Sequence, residues 1–283
     1  MRPSRRNVLV GAGGLTILGG CGSTTSLGRN NANHPNLFDF MKPEDNLSGL
    51  VKVMGDLNGS ATWLSAQGRI FAIRDGEMPM PILAVEGVRR MKFTKNDAGY
   101  EMMTRDWAFY KDLDTGALIT QFQNPFTGKT NEVSPILTRP FAWDMTPDRG
   151  QQMPEYSGEA YLIDRPLILP WTQEGNDVSL SLELLVKYAS GVGGGEWEHF
   201  LTSADELNDP TLTSVSMRQA WTGHSPWMRW MNMGDIPGRT LWQSTGRKHA
   251  SATDLRPEFI RSVNAVFPGS LESPEDYQKP KSI

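Results

Sequence analysis

Turn signals spaced through the first half of this chain constrain its fold more than any other feature. Asp75-Gly76, Asn96-Asp97-Ala98-Gly99, Asp114-Thr115-Gly116 and Asn124-Pro125-Phe126-Thr127-Gly128 all carry residues suited to tight turns. Between and beyond them, residues 69–74, 82–93, 100–110, 117–123 and 130–137 have the length and the β-branched and aromatic content of strands. Five successive antiparallel strands are expected. Further on, Leu180, Leu182, Leu184, Val186 and Tyr188 alternate with Ser179, Ser181, Glu183 and Lys187, a period of two that fits one buried and one wet face. Val215, Met217, Gln219 and Trp221 repeat that pattern.

Near the C-terminus the periodicity changes. Pro257 suits a first helical turn, Phe259, Ile260 and Val263 share one helical face, and Pro268-Gly269 stops the helix. The expected fold is mainly β: an antiparallel meander closing into a barrel or a strongly curved sheet, with one C-terminal helix. Closure removes the exposed edges that a long meander would leave, and a barrel of this size usually encloses a pocket.

The first twenty residues belong to a different kind of segment. Arg5-Arg6 stands directly before an apolar stretch, Val8 to Leu18, whose helix would be roughly 16 Å long against a hydrocarbon core of about 30 Å, too short to span. Leu18-Gly19-Gly20-Cys21 follows and resembles the lipobox of bacterial lipoproteins, where the cysteine takes the lipid and becomes the first mature residue. Residues 1–20 are therefore expected to be a twin-arginine-type signal, 21–36 a lipidated Cys21 and a flexible tether, and 37–283 a single mainly-β domain. Val10 replaces the basic residue usual in the twin-arginine pattern, which leaves the general secretory route open. Gly22 after the cysteine, in place of an acidic residue, favours the periplasmic face of the outer membrane in a Gram-negative cell. The twin-arginine route carries folded chains and permits a cofactor without naming one.

Cys21 is the one cysteine of the chain, so no internal disulfide can form and a buried core must supply the stability. Without Arg2, Arg5 and Arg6 of the signal, 25 basic residues face 32 acidic ones, a net charge of −7 that disfavours nucleic acid as a partner.

Val53-Met54-Gly55-Asp56-Leu57-Asn58-Gly59, Arg105-Asp106-Trp107-Ala108-Phe109-Tyr110, Asp114-Thr115-Gly116, Asn124-Pro125-Phe126-Thr127-Gly128, Ser225-Pro226-Trp227-Met228 and Met233-Gly234-Asp235-Ile236-Pro237-Gly238 together resemble the bacterial family catalogued as domain of unknown function 1838. The resemblance covers nearly all of the mature chain. It implies no activity and no catalytic residues.

Chemistry must come from positions. On the strand at 100–110, alternation puts Met103, Arg105, Trp107 and Phe109 on one face and Tyr100, Met102, Thr104, Asp106 and Tyr110 on the other. An inward Arg105 or Asp106 would be costly unless paired or used on a ligand. The alternatives are a surface charge beside core aromatics, or an Arg-Asp pair that holds strands together. Asp56 is a candidate general base or ligand for a hydroxyl, although such a motif is more often simply an Asx-turn.

The stretch 221–233 brings Trp221, His224, Trp227, Met228, Trp230, Met231 and Met233 into one short span. It reads as plain core, as the wall of an aromatic-lined pocket with His224 as proton donor or acceptor, or as a soft-metal site for copper through His224, Met228, Met231 and Met233. Strand geometry turns Met228 away from Met231 and Met233. The four histidines lack zinc-ligand spacing, Gly191-Val192-Gly193-Gly194-Gly195 is not followed by the lysine of a phosphate loop, and no Gly-x-Ser-x-Gly motif occurs.

Two functions follow. The first is an envelope lipoprotein, tied to the membrane through Cys21, whose domain binds an apolar or aromatic small molecule. The second is a metal-independent acid-base enzyme, a lyase or isomerase of an aromatic compound. Its catalytic candidates are Asp56, Asp106, Tyr110 and His224, with Arg105, Trp107, Trp221 and Trp227 on the ligand.

Overall fold

The turn signals become hairpins. β1 (Thr62–Ile73), β2 (Met80–Lys95) and β3 (Tyr100–Lys111) are long antiparallel strands, and Gly76 in the first turn adopts φ +77°, a left-handed conformation that favours glycine. The structure, a computed structural model, describes residues 38–148, 150–152, 158–160, 166–188 and 193–272. The expected signal, Cys21 and the tether lie outside the described residues.

Beyond β3 come β4 (Gln121–Gln123), β5 (Thr130–Glu132), β6 (Ile136–Leu137), β7 (Phe141–Thr146), β8 (Gly150–Gln152), β9 (Gly158–Ala160) and β10 (Trp171–Glu174). They are followed by β11 (Asp177–Tyr188), β12 (Gly193–Ser203), β13 (Arg218–Ser225) and β14 (Arg239–His249). Three α-helices, α1 (Pro43–Met54), α2 (Ala204–Asn208) and α3 (Pro257–Val266), and two short 3-10 turns at Arg229–Met231 and Ala252–Asp254 complete the described elements.

One sheet runs β10-β11-β12-β13-β14-β1-β2-β3-β7-β8, so two meanders are joined where β14 pairs with β1 from Trp63 opposite His249 to Ile73 opposite Arg239. Among the described residues the ends of this path do not pair, so they form an open antiparallel sheet and not a closed barrel. The expected strand at 117–123 shrinks to β4, which pairs only with β5 in a separate small sheet. Residues 130–137 divide into β5 and β6, and β6 pairs with β3. The buried Asn124 between β4 and β5 explains the shortening: its Oδ1 accepts from the Phe126 amide and its Nδ2 donates to Met231 O at 2.8 Å, which commits the backbone to a turn.

Curvature follows from one contact. Arg89 on β2 and Glu198 on β12 are four strand steps apart, about 19 Å in a flat sheet, yet Arg89 Nη1 lies 2.8 Å from Glu198 Oε1. The face that carries them is therefore concave. Gly68 and Gly246 on the joining strands permit the bend, since a Cβ on either would overlap a backbone carbonyl, of Gln243 and of Ser65 respectively.

Both faces are covered, by different means. At one end of the concave face, Leu64, Met91, Phe93, Met102, Leu180 and Phe200 pack against Leu47, Leu50, Val51 and Met54 of α1. This helix was not expected, although its apolar residues repeat at helical spacing behind Pro43. At the other end Ile70, Leu83, Tyr110, Phe122, Met231 and Met233 form a second cluster. On the convex face α3 lays Phe259 and Val263 over Trp63, Val88, Trp107 and Phe109, as the helical spacing of Phe259 and Val263 anticipates.

One buried and one half-buried lysine hold α1. Lys52 Nζ donates to Leu207 O and Asp209 O at the end of α2, while Lys248 Nζ donates to Lys52 O at 2.6 Å and Gly55 O at 3.2 Å. Burial pushes the Lys248 ammonium down to about 7, against the attraction of Asp56 and Glu206.

Phe259 meets Phe109 edge to face with ring centres 5.6 Å apart and is nearly fully buried. Truncating it leaves a cavity between α3 and the sheet, so Phe259→Ala is expected to cost about 3–5 kcal/mol, read as a lower midpoint in urea unfolding.

Candidate functional site

Between the two concave clusters the sheet carries a strip of small residues. The register aligns Gln219, Gly246, Ala66, Gly87 and Ala108 across β13, β14, β1, β2 and β3. The next row is Trp221, Ser244, Gly68, Val85 and Tyr110. Ala66, Gly68, Gly87, Ala108, Ser244 and Gly246 are half-buried, whereas Leu64 and Met91 on one side and Ile70 and Leu83 on the other are buried. Missing side-chain volume in the middle of a curved face makes a trough.

Charged groups converge on it from strands far apart in sequence. Asp106 on β3 lies opposite Arg89 on β2 and accepts from its Nε at 2.8 Å, and Glu198 takes Nη1 at the same distance. Burial opposes the Arg89 charge, but Asp106, Glu198 and Glu196 outweigh it and hold the guanidinium well above its usual pKa. Glu196 shares the concave face of β12 with Glu198 and accepts from Trp221 Nε1 at 3.2 Å. Burial pushes its carboxyl above the usual glutamate range, with Arg89 opposing and Glu198 reinforcing the shift. Trp221 meets Trp242 edge to face at 6.3 Å. The site thus has three carboxyl groups, one guanidinium and two indoles around a floor of small residues.

The residues expected from sequence are dispersed. Asp106 and Trp221 lie in the trough. Tyr110 is on the same face but buried in the cluster beside it, against Trp230 at 5.2 Å and Trp242 at 5.9 Å, and burial pushes its hydroxyl up to about 12. Arg105 and Trp107 fall on the convex face, where the guanidinium sits 5.4 Å over the indole ring. There Arg105 Nε donates to Thr138 O, and Trp107 Nε1 donates to Ser270 Oγ at 2.9 Å. Trp107 is fully buried under the α3 layer, away from the trough.

Asp56 lies in the loop after α1 as an Asx-turn residue, its Oδ1 accepting from the Asn58 amide at 2.7 Å. His224 is on the convex side of β13, stacked near Trp197 at 5.5 Å, with burial and Arg239 lowering its pKa. Trp227 packs on Phe126 beyond the trough and donates to Ile236 O. Met228, Met231 and Met233 belong to the apolar cluster on the concave side, so His224 does not join them. Among the described residues, no group of three or more His, Cys, Asp or Glu side chains is arranged to hold a metal.

Arg89, Glu196, Glu198, Gln219 and Trp242 were not anticipated. Their common signal is a polar or amphipathic residue in phase with core positions: Arg89 falls two before Met91, and Glu198 two before Phe200.

The family described as Protein of unknown function (DUF1838) matches residues 59–283, and the chain belongs to it. No curated protein matches the chain.

The raised Glu196 pKa fixes a sign. A carboxyl that holds its proton more tightly when folded contributes stability below its ordinary value of 4.5, and that contribution is lost as pH rises through the folded value. Glu196→Gln keeps the neutral form at every pH. It is expected to melt above the wild type at pH ~7, with the gap closing below the ordinary glutamate pKa of ~4.3, in a series of melting curves.

Proposed function

We propose that this chain binds a small organic molecule with an aromatic or apolar body in the trough of its curved sheet, as a lipoprotein of the bacterial cell envelope. The observation that carries the reading is the interruption of the concave face. Strands that bury Leu64 and Met91 at one end and Ile70 and Leu83 at the other present Ala66, Gly68, Gly87 and Gly246 between them, with Val85 and Arg89 as the larger side chains on β2. Apolar walls with a few convergent polar groups are what small-molecule sites are built from. Trp221 and Trp242 supply flat faces for an aromatic ring, and Arg89, Asp106, Glu196 and Glu198 supply orientation. The barrel-like character of the domain rests on the reach of Arg89 from β2 to β12.

A second reading, an acid-base lyase or isomerase, is favoured by Glu196. Burial raises its pKa while Glu198 and Asp106 are tied to Arg89, so one site sets a carboxyl group with a raised pKa beside two ion-paired ones. Turnover of a bound aromatic compound, lost in Glu196→Gln while binding persists, would select this reading.

Filling the trough tests binding itself. Three indoles of similar size and different charge, 3-ethylindole, tryptamine and indole-3-propionate, are titrated into the full chain by calorimetry. At least one is expected to bind saturably, and Ala66→Phe, which projects a ring into the strip, is expected to abolish that binding with little change in melting temperature. Absence of saturable heat for all three at millimolar concentration, or equal binding by the variant, would overturn the reading.

The envelope assignment rests on Arg5-Arg6, the short apolar stretch and Leu18-Gly19-Gly20-Cys21. In a bacterial host, Cys21→Ala is expected to move the protein from the membrane to the soluble fraction and to abolish fatty-acid labelling. Unchanged fractionation and labelling would remove Cys21 as the anchor.

A further inference from the structure

The trough is not charge-balanced. Asp106, Glu196 and Glu198 face one guanidinium, Arg89, whose Nε and Nη1 are already taken by Asp106 and Glu198 at 2.8 Å each. Glu196 is left with one neutral donor, Trp221 Nε1. Lys248 shares the concave face on β14, but its Nζ is turned to the carbonyls of Lys52 and Gly55 at the end of α1. The cation that acts on Glu196 is the Arg89 guanidinium, which Asp106 and Glu198 already engage.

A polar side chain lies on the same strip. Gln219, only 6 % exposed, is on the concave face opposite Gly246, which contributes no side chain beside it. Its amide is a polar group beside the floor of small residues, of the kind that orients a ligand in a mostly apolar site.

We propose that the ligand carries a protonated amine, seated between Glu196 and the Trp221 and Trp242 rings, with its aromatic or apolar body along the strip of small residues. The inference rests on the binding reading above and names the charge of what is bound. An ammonium completes the unbalanced carboxylate set, and the indole faces add attraction for a cation in a partly desolvated site. Among the described residues these carboxylates do not form a group of three or more arranged to hold a metal ion. An organic anion would meet three carboxyl groups while Arg89 is already engaged. Entry of a cation also favours ionisation of Glu196, whose carboxyl burial otherwise holds above the usual range.

The three indoles separate the outcomes. By calorimetry at neutral pH, tryptamine is expected to bind the full chain at least about tenfold more tightly than 3-ethylindole, with indole-3-propionate weakest. Glu196→Gln, which is isosteric and can still accept from Trp221, is expected to bring tryptamine and 3-ethylindole toward parity. Should that variant not fold, ionic strength provides the same readout on the wild type: added salt is expected to weaken tryptamine and leave 3-ethylindole unchanged. Equal binding by the neutral indole, or tighter binding by the acid, overturns the amine inference and leaves the binding reading standing. Failure of all three overturns both.

Discussion

Arg89 is the group on which the middle of this fold depends. Its guanidinium sits where two carboxylates from opposite arms of one sheet meet, Asp106 on the neighbouring strand and Glu198 four strands away along the path. A planar fork with several donors can answer both at once, whereas a lysine is a single charge on a flexible stem. The bridge holds β2 against β12 across the concavity and thereby sets how far the sheet can open. Removing one partner of such a set leaves uncompensated charge in a partly desolvated place, which is costly even where the intact set adds little net stability.

That arrangement explains why the core is divided. A sheet that curls this tightly presents less area on its concave side, and side chains of full size along every row would collide. The chain meets the constraint with Ala66, Gly68 and Gly246 in the central rows of β1 and β14 and Gly87 on β2, and sets the larger side chains of those rows, Trp221 and Tyr110, on the outer strands β13 and β3. At one end α1 supplies Leu47, Leu50 and Val51 as filling; at the other, the turn regions around Phe122 and Met231 do so. Bending and the trough thus have the same cause, since glycines that let strands approach closely also leave the floor bare.

Much of the fold was legible and the site mostly was not, for a physical reason. Alternation marks which residues share a face and turn residues mark where strands reverse, so β1, β2, β3, β11 and α3 can be read locally. The break of 117–123 into a turn and a short strand depends on the Asn124 side chain reaching Met231, a contact 107 residues distant that no local pattern carries. Helix α1 was written in the spacing of Leu47, Leu50, Val51 and Met54 and could have been found from it. The partnership of Arg89 with Glu198 spans 109 residues and depends on the joining of β14 to β1, which periodicity does not encode.

The strand at 100–110 shows where alternation stops. Periodicity correctly separates Arg105 and Trp107 from Asp106 and Tyr110, but both faces are apolar enough to be buried, so it cannot say which one looks into the concavity. The choice is made by what lies elsewhere in the chain: α3 brings Phe259 and Val263 to the face of Trp107 and Phe109, and β2 brings Arg89 opposite Asp106. Arg105, lying over Trp107 and donating to the Thr138 carbonyl, then has its needs met on the outside, with burial lowering its pKa. Asp106 is drawn into a network that still has one carboxyl group more than its cation can answer. A charged residue in a core-like strand is therefore informative about a ligand only once its partners are counted, and here the count leaves Glu196 with the Trp221 indole as its hydrogen-bond donor while Arg89 is engaged by Asp106 and Glu198.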